Sequence, residues 1–259
     1  MSRAPEVLMA SRQRVAHERQ RRRRTRSGVL LSTDTIIDCA LRLSHEHGPD
    51  ALSVRRLGAA LGCDPSAIYR YFHNTDDLLL AIADRLVGRA IEGFQPGDDW
   101  MAGLREMAHR IRDNYQAQPR VAVLVASRVT RRENEFRAVE TGVSLLLQAG
   151  FDARTAVQHY HAFIDTVLGH AALDVTALTL PKDKYEADAQ AWTNAYQALP
   201  AETHPAIAAV RHELPRMAGS SFDNAVDLMI SAIAAQAPAA KARSRGNVRA
   251  ADRASRKSK

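Results

Sequence analysis

The chain is poor in aromatic residues, which make up 5% of its 259 positions, and it holds two cysteines, Cys39 and Cys63. Their spacing fits no zinc or redox motif, so a disulfide or metal framework is excluded and two reduced thiols are expected. No apolar run approaches the roughly 18 residues that a membrane-spanning helix needs. The basic N-terminus is not followed by an apolar segment, so no secretory signal is read, no membrane partner is implied and a cytoplasmic protein is expected. No stretch alternates apolar and polar residues over strand length, and no internal repeat is present. A nucleophile paired with a base, a glycine-rich phosphate loop and a metal-spaced histidine cluster are all missing, which argues against an enzyme, a cofactor or a bound metal. His159 and His161 lie two apart, which on a helix puts them on different sides, a poor arrangement for chelation.

What is present begins with the placement of charge. The whole chain carries +7, yet residues 1–28 alone hold nine Arg against two Glu, and residues 237–259 hold eight Lys or Arg against one Asp. Each end thus carries +7, which leaves the body from 29 to 236 at −7. Neither end has a stable apolar stripe, and both are expected to be disordered basic arms of the kind that grip polyanions.

Between the arms the apolar spacing is helical nearly throughout, so an all-α chain is expected. Helices are predicted over 33–47, 53–61, 64–72 and 74–93, then over 99–117, 120–127, 132–149, 153–176, 183–198, 204–217 and 220–236. Ser32 or Thr33, Ser53, Asp64 and Asn74 stand where N-caps are needed, and Pro65 falls at a first helical position that has no use for its missing N–H. Gly48-Pro49, Gly62, Pro119, Gly150, Pro181 and Pro200 punctuate the pattern.

The second and third helices are separated by about three residues including Gly62, the spacing of a helix-turn-helix whose second helix enters the major groove. In "DPSAIYRYF" (64–72), Ile68 and Phe72 are four apart and point inward. Ser66, Ala67, Arg70 and Tyr71 are then expected to face out, with Tyr69 at the edge. Small residues permit close approach to the bases, an arginine suits a guanine edge or a phosphate, and tyrosine hydroxyls suit phosphate oxygens.

The stretch "TIIDCALRLSHEHGPDALSVRRLGAALGCDPSAIYRYFHNTDDLLLAIADRL" (35–86) resembles the DNA-binding domain of the tetracycline-repressor (TetR) family of bacterial transcription regulators. The resemblance rests on the glycine after helix one, Ser53, "RRLGAALG", the Tyr69/Phe72 pair and the leucines that open helix four. It implies DNA contacts at Ser53, Val54 and Arg55, and at Pro65, Ser66, Ala67, Tyr69, Arg70 and Tyr71. One departure is Thr75, which stands where the family usually has a phosphate-contacting lysine. Residues 29–75 hold four Arg against five acids. Missing positive charge is therefore expected from Arg21, Arg22, Arg23 and Arg24, following phosphates or entering the minor groove.

"LLLQAGF" and "A…YHAFIDTVLG", within 128–174, are similar to the C-terminal domain of the tetracycline-repressor subgroup. That resemblance implies a ligand cavity and a homodimer through a four-helix bundle made by helices 153–176 and 220–236. The bundle seam would hold Ala156, Tyr160, Phe163, Ile164, Val167 and Leu168 of the first and Phe222, Val226, Met229, Ile230 and Ile233 of the second. The subgroup's metal ligands fall near Leu124 and Leu173, neither of which can hold a hard cation, so a metal-free effector is expected. Candidate cavity residues are His109, Asn114, Tyr115, Arg128, His161 and Asp165.

The expected organisation is a helix-turn-helix domain (29–75), a connecting helix (76–96) and a ligand-binding and dimerisation domain (97–236). The expected function is a regulator, a repressor by the family's habit, that binds a palindromic double-stranded operator as a homodimer and is released by a small molecule. The alternative is an architectural DNA-binding protein with basic tails and no effector.

Overall fold

The computed structural model describes residues 30–48 and 52–238. The basic run Arg21–Arg24, the arm at 1–28 and nearly all of the C-terminal tail lie outside the described residues. Among the described residues the chain is helical and contains no strand.

Helix α1 (Thr33–His47) starts at Ser32, whose hydroxyl accepts the Thr35 N–H at 3.1 Å. Helix α2 (Val54–Leu61) starts at Ser53, which takes the Arg56 N–H, and stops at Gly62 in the left-handed region (φ 66). Both are polar caps that satisfy otherwise orphaned N–H groups. A Cβ on Gly58 would lie 3.0 Å from the Cys63 carbonyl oxygen and 3.2 Å from Pro65 Cγ, so glycine lets α2 close tightly on the element after it.

That element, expected as an α-helix over 64–72, is a 3₁₀ helix at Pro65–Arg70. The Asp64 carboxylate takes the Ser66 N–H at 2.8 Å. The Asp64 and Ile68 carbonyls accept Ala67 N–H and Tyr71 N–H three residues on, each at 2.9 Å. Asx capping and Pro65 wind the first turn tightly, and six residues are too few to relax into i→i+4 pairing. Helix α3 (Thr75–Ile91) follows, capped by Asn74, with Asp76 and Asp77 in its first turn where the dipole favours acids.

The rest of the chain forms α4 (Trp100–Ala117), α5 (Pro119–Val125), α6 (Glu133–Gln148), α7 (Ala153–Leu178), α8 (Lys182–Asn194), α9 (Pro205–Val210), a 3₁₀ turn (Leu214–Ala218) and α10 (Phe222–Ala234). The unbroken helix expected over 204–217 is split, since Pro215 removes an N–H and clashes with the preceding turn. No residue of α8, α9 or the 3₁₀ turn is buried.

Two cores form. One lies under α1–α3 around Ile36, Leu57, Ile68, Phe72, Ile82 and Leu86; the other lies between α4, α6, α7 and α10 around Leu104, Leu145, Phe163, Val167, Phe222 and Ile230. Short α5 serves both, giving Val121 and Val125 to the first and Ala122 to the second. On α7 the buried residues Ala156, Tyr160, Phe163, Val167, Ala171 and Val175 repeat every three or four positions and pack against Phe222, Val226, Ile230 and Ile233. This corrects the expected bundle seam: those residues belong to the chain's own core. Phe163 and Phe222 are fully enclosed there, where truncation to alanine costs about 3–5 kcal/mol. The apolar residues these two helices leave outward are Val157, Leu173, Leu178 and Leu228. Among the described residues, no single helix is long and apolar enough to cross a membrane.

Candidate nucleic-acid interface and effector cavity

The 3₁₀ helix Pro65–Arg70 sits on α2 with Ile68 buried beneath it, which turns Ser66, Tyr69 and Arg70 outward. Tyr69 is 51% exposed, and Ser53, Arg55 and Thr75 are exposed as well. Val54, Pro65 and Ala67 are half-buried. Tyr71 is corrected: its ring packs against the N-terminal core and its hydroxyl donates to the Leu31 carbonyl at 2.8 Å. The 3₁₀ winding, at three residues per turn, places Tyr71 on the same side as the buried Ile68 and exchanges the expected positions of the two tyrosines. The Asp64 carboxyl is held below the usual carboxylate range by hydrogen bonds from Ser66.

Behind this unit lies a cavity of about 300 Å³ walled by α3, α4, α6, α7 and the α5–α6 loop. Five of the six expected residues, Asn114, Tyr115, Arg128, His161 and Asp165, line it. His109 does not. Its ring leans on Phe222, centroids 6.0 Å apart, and Nδ1 lies 3.7 Å from Asp223. His161 and Asp165 pair at 3.2 Å one helical turn apart, and both are exposed. Leu124 and Leu173 are exposed and lie away from the cavity wall. Among the described residues no cluster of three His, Cys, Asp or Glu could hold a metal ion.

Most of the wall is aliphatic, as small-molecule sites generally are. Tyr115 and Tyr160 are buried, and desolvation pushes both phenols up to about 12. A Cβ on Gly142 would come within 2.2 Å of Tyr160 Cε2, so the bare backbone of α6 is what admits that ring.

The α5–α6 loop forms one wall and is tied to α3 in three places. Arg128 reaches Asp76 at 2.8 Å, and Arg132 reaches Asp77 at 2.6 Å. Buried Asp84 accepts from Thr130 Oγ1 (3.2 Å), Asn134 Nδ2 (2.8 Å) and the Glu135 N–H (3.1 Å). Glu135 in turn takes the Arg131 N–H at 2.7 Å, where the backbone is left-handed (φ 57), an uncommon state for a residue with a Cβ. The loop that touches the cavity therefore grips the first turn of the helix that follows the helix-turn-helix. Sequence reasoning picked Arg128 but missed Thr130, Glu135, Asp76, Asp77 and Asp84. The signal available was an acidic first turn on one helix and an arginine-rich loop more than fifty residues later.

The family described as "Bacterial regulatory proteins, tetR family" matches residues 36–82, and "Tetracyclin repressor-like, C-terminal domain" matches residues 93–237. An HTH-type transcriptional repressor of Mycobacterium tuberculosis is 29% identical over 161 residues, 60% of this chain and 61% of the relative. The tetracycline repressor protein class D of Escherichia coli is 29% identical over 138 residues, 50% of this chain and 63% of the relative. Among solved structures, ActR of Streptomyces coelicolor in complex with actinorhodin superposes with a TM-score of 0.71 at 22% identity, covering 80% of this chain and 97% of that one. The chain thus spans about three-fifths of the length of the curated relatives it matches.

Proposed function

The chain belongs to the TetR family of bacterial regulatory proteins, and from that premise we propose that it is a cytoplasmic, effector-released repressor that binds a palindromic operator as a homodimer. The observation that carries this reading is the single loop, 126–132, that walls the cavity and also holds α3 through Arg128–Asp76, Arg132–Asp77 and Thr130–Asp84. A ligand pressing on that loop shifts the first turn of α3 and the recognition element joined to it. It favours whichever state it binds better.

In this reading residues 29–75 contact DNA through Ser53, Val54, Arg55, Ser66, Tyr69, Arg70 and Thr75, with Pro65 and Ala67 setting the closeness of approach. Residues 76–96 connect, and residues 97–236 hold the effector and the dimer face. Arg21–Arg24, and the arms at 1–28 and 237–259, add sequence-independent grip on phosphates. The dimer forms through the outward faces of α7 and α10, where Val157, Leu173 and Leu228 stand exposed; in a two-fold dimer the same patch serves both subunits. The effector is a small molecule bound without metal, close to Asn114, Tyr115, Arg128, His161 and Asp165.

Selection of bound fragments from random DNA tests the reading. A pseudo-palindrome, bound at physiological salt by two chains per site, is the expected result. Uniform binding that salt abolishes overturns it and is what an architectural protein with basic tails would give.

A further inference from the structure

We propose that the cavity selects a largely apolar ligand without negative charge that carries a carbonyl-type hydrogen-bond acceptor, which it holds by the phenolic hydroxyls of Tyr115 and Tyr160. This rests on the cavity being the effector site and goes on to name what the effector must be.

The charges on the wall are committed elsewhere. Arg128 pairs with Asp76 at 2.8 Å. Glu135 takes the N–H groups of Thr130 and Arg131 and the Thr130 hydroxyl. Asp165 pairs with His161, and both are exposed. An anionic ligand driven inside would lose its water, find Arg128 already paired and stand beside the Glu135 carboxylate, which is costly. The Asn114 amide gives one of its two N–H groups to the Leu86 carbonyl at 2.8 Å.

Among the buried donors on the wall, the two phenols stand without a protein partner. Tyr115 is 6% and Tyr160 9% exposed, both line the cavity, and neither hydroxyl bonds a protein group among the described residues. Hydroxyls on buried tyrosine rings ordinarily find a partner, so these two unmet ones, one from α4 and one from α7, form a receptor half. Phenols are protonated and donating near neutral pH, and burial pushes these two further up, to about 12. Gly142 fixes one of them in place, since any Cβ there would overlap the Tyr160 ring. A hydrocarbon of the right shape would strip water from both hydroxyls and return nothing; a carbonyl oxygen would accept from them.

The test uses two tricyclic probes of nearly equal shape, xanthone with a ring carbonyl and xanthene with a methylene in its place. Their binding to the full chain is measured by calorimetry. Xanthone is expected to bind about tenfold or more tighter than xanthene, and each of Tyr115→Phe and Tyr160→Phe to remove a several-fold share of that preference. The double Phe variant should bind both probes alike. Equal affinity for the wild type, a preference that survives the double substitution, or no xanthone binding overturns the proposal. Ala138→Trp, which fills the cavity from α6, separates the two levels, with Val87→Trp as the substitute should the first not fold. If equal binding of both probes is lost on filling, only the acceptor assignment fails. If binding survives filling, the cavity is not the ligand site and the reading beneath it fails too.

Discussion

Replacing Gly142 with alanine sets two known magnitudes against each other. Gly142 lies within α6, and at an open helical position glycine to alanine is favourable by about 0.8–1.0 kcal/mol. Here the new methyl would stand 2.2, 2.7 and 3.1 Å from Tyr160 Cε2, Cδ2 and Cζ. Those atoms belong to a rigid ring buried between α6 and α7, so the ring or the helix has to move, and overpacking of this kind costs about 1–3 kcal/mol. The net expectation is a loss of up to about 2 kcal/mol, read as a lower midpoint in urea unfolding at fixed protein concentration. The same substitution placed in a Tyr160→Ala background meets no ring and should stabilise by up to about 1 kcal/mol. The coupling between the two sites is then about 1–3 kcal/mol in a double-mutant cycle. If Gly142→Ala stabilises equally in both backgrounds, the close approach of α6 to Tyr160 is wrong, and so is the account of how one cavity wall is placed.

Three further outcomes are expected. Asp84→Ala strands the Asn134 amide and the Glu135 N–H around a buried gap, while the Thr130 hydroxyl keeps Glu135, and should cost about 1–3 kcal/mol in thermal or chemical melts; a change under about 0.5 kcal/mol would show that the loop is not held there. Tyr71→Phe should lose about 0.5–1.5 kcal/mol of stability with little change in operator affinity, whereas Arg70→Ala should weaken the operator complex by about 1–3 kcal/mol; operator binding lost with Tyr71→Phe and kept with Arg70→Ala in mobility-shift assays would contradict the facing of this segment. Tyr115 and Tyr160 have folded values near 12 against about 10 unfolded. Between those pH values the unfolded chain has lost protons that the folded chain keeps, so stability should fall by about 2–3 kcal/mol per tyrosine as pH rises from about 10 to 12, with no contribution below about 10. Tyrosinate absorbance in the folded protein that rises fully near pH 10 would refute their burial.

Helix positions were readable because their signals are local. Ser53, Asp64 and Asn74 each sit beside the N–H groups they cap, and Gly62 sits where the chain must turn left-handed. The failures were equally physical. Helical periodicity of 3.6 assigned Tyr71 to the outside, but a six-residue 3₁₀ segment has another period and turned it onto Leu31. Pro215 was passed over inside an otherwise periodic run, and the helix broke there. His109 was placed in the cavity because an isolated histidine has no local signal for its partner, which turned out to be Asp223, more than a hundred residues away. The grip of Arg128 and Arg132 on Asp76 and Asp77, and the fit of Tyr160 over Gly142, are long-range facts of shape that one sequence does not spell out.

Helix α5 carries a consequence for anyone who would recombine such regulators. A natural place to cut is the break at 95–99, giving a reader module and a sensor module. Val121 and Val125 nevertheless complete the interior of the reader although they lie in the sensor's half of the sequence. A hybrid joined at the break would forfeit two valines, each worth about 1.5–3 kcal/mol when enclosed, unless the incoming sensor brings a matching pair. The reader is thus not separable at the point where the chain looks thinnest, and the two halves have been shaped to one another through seven residues.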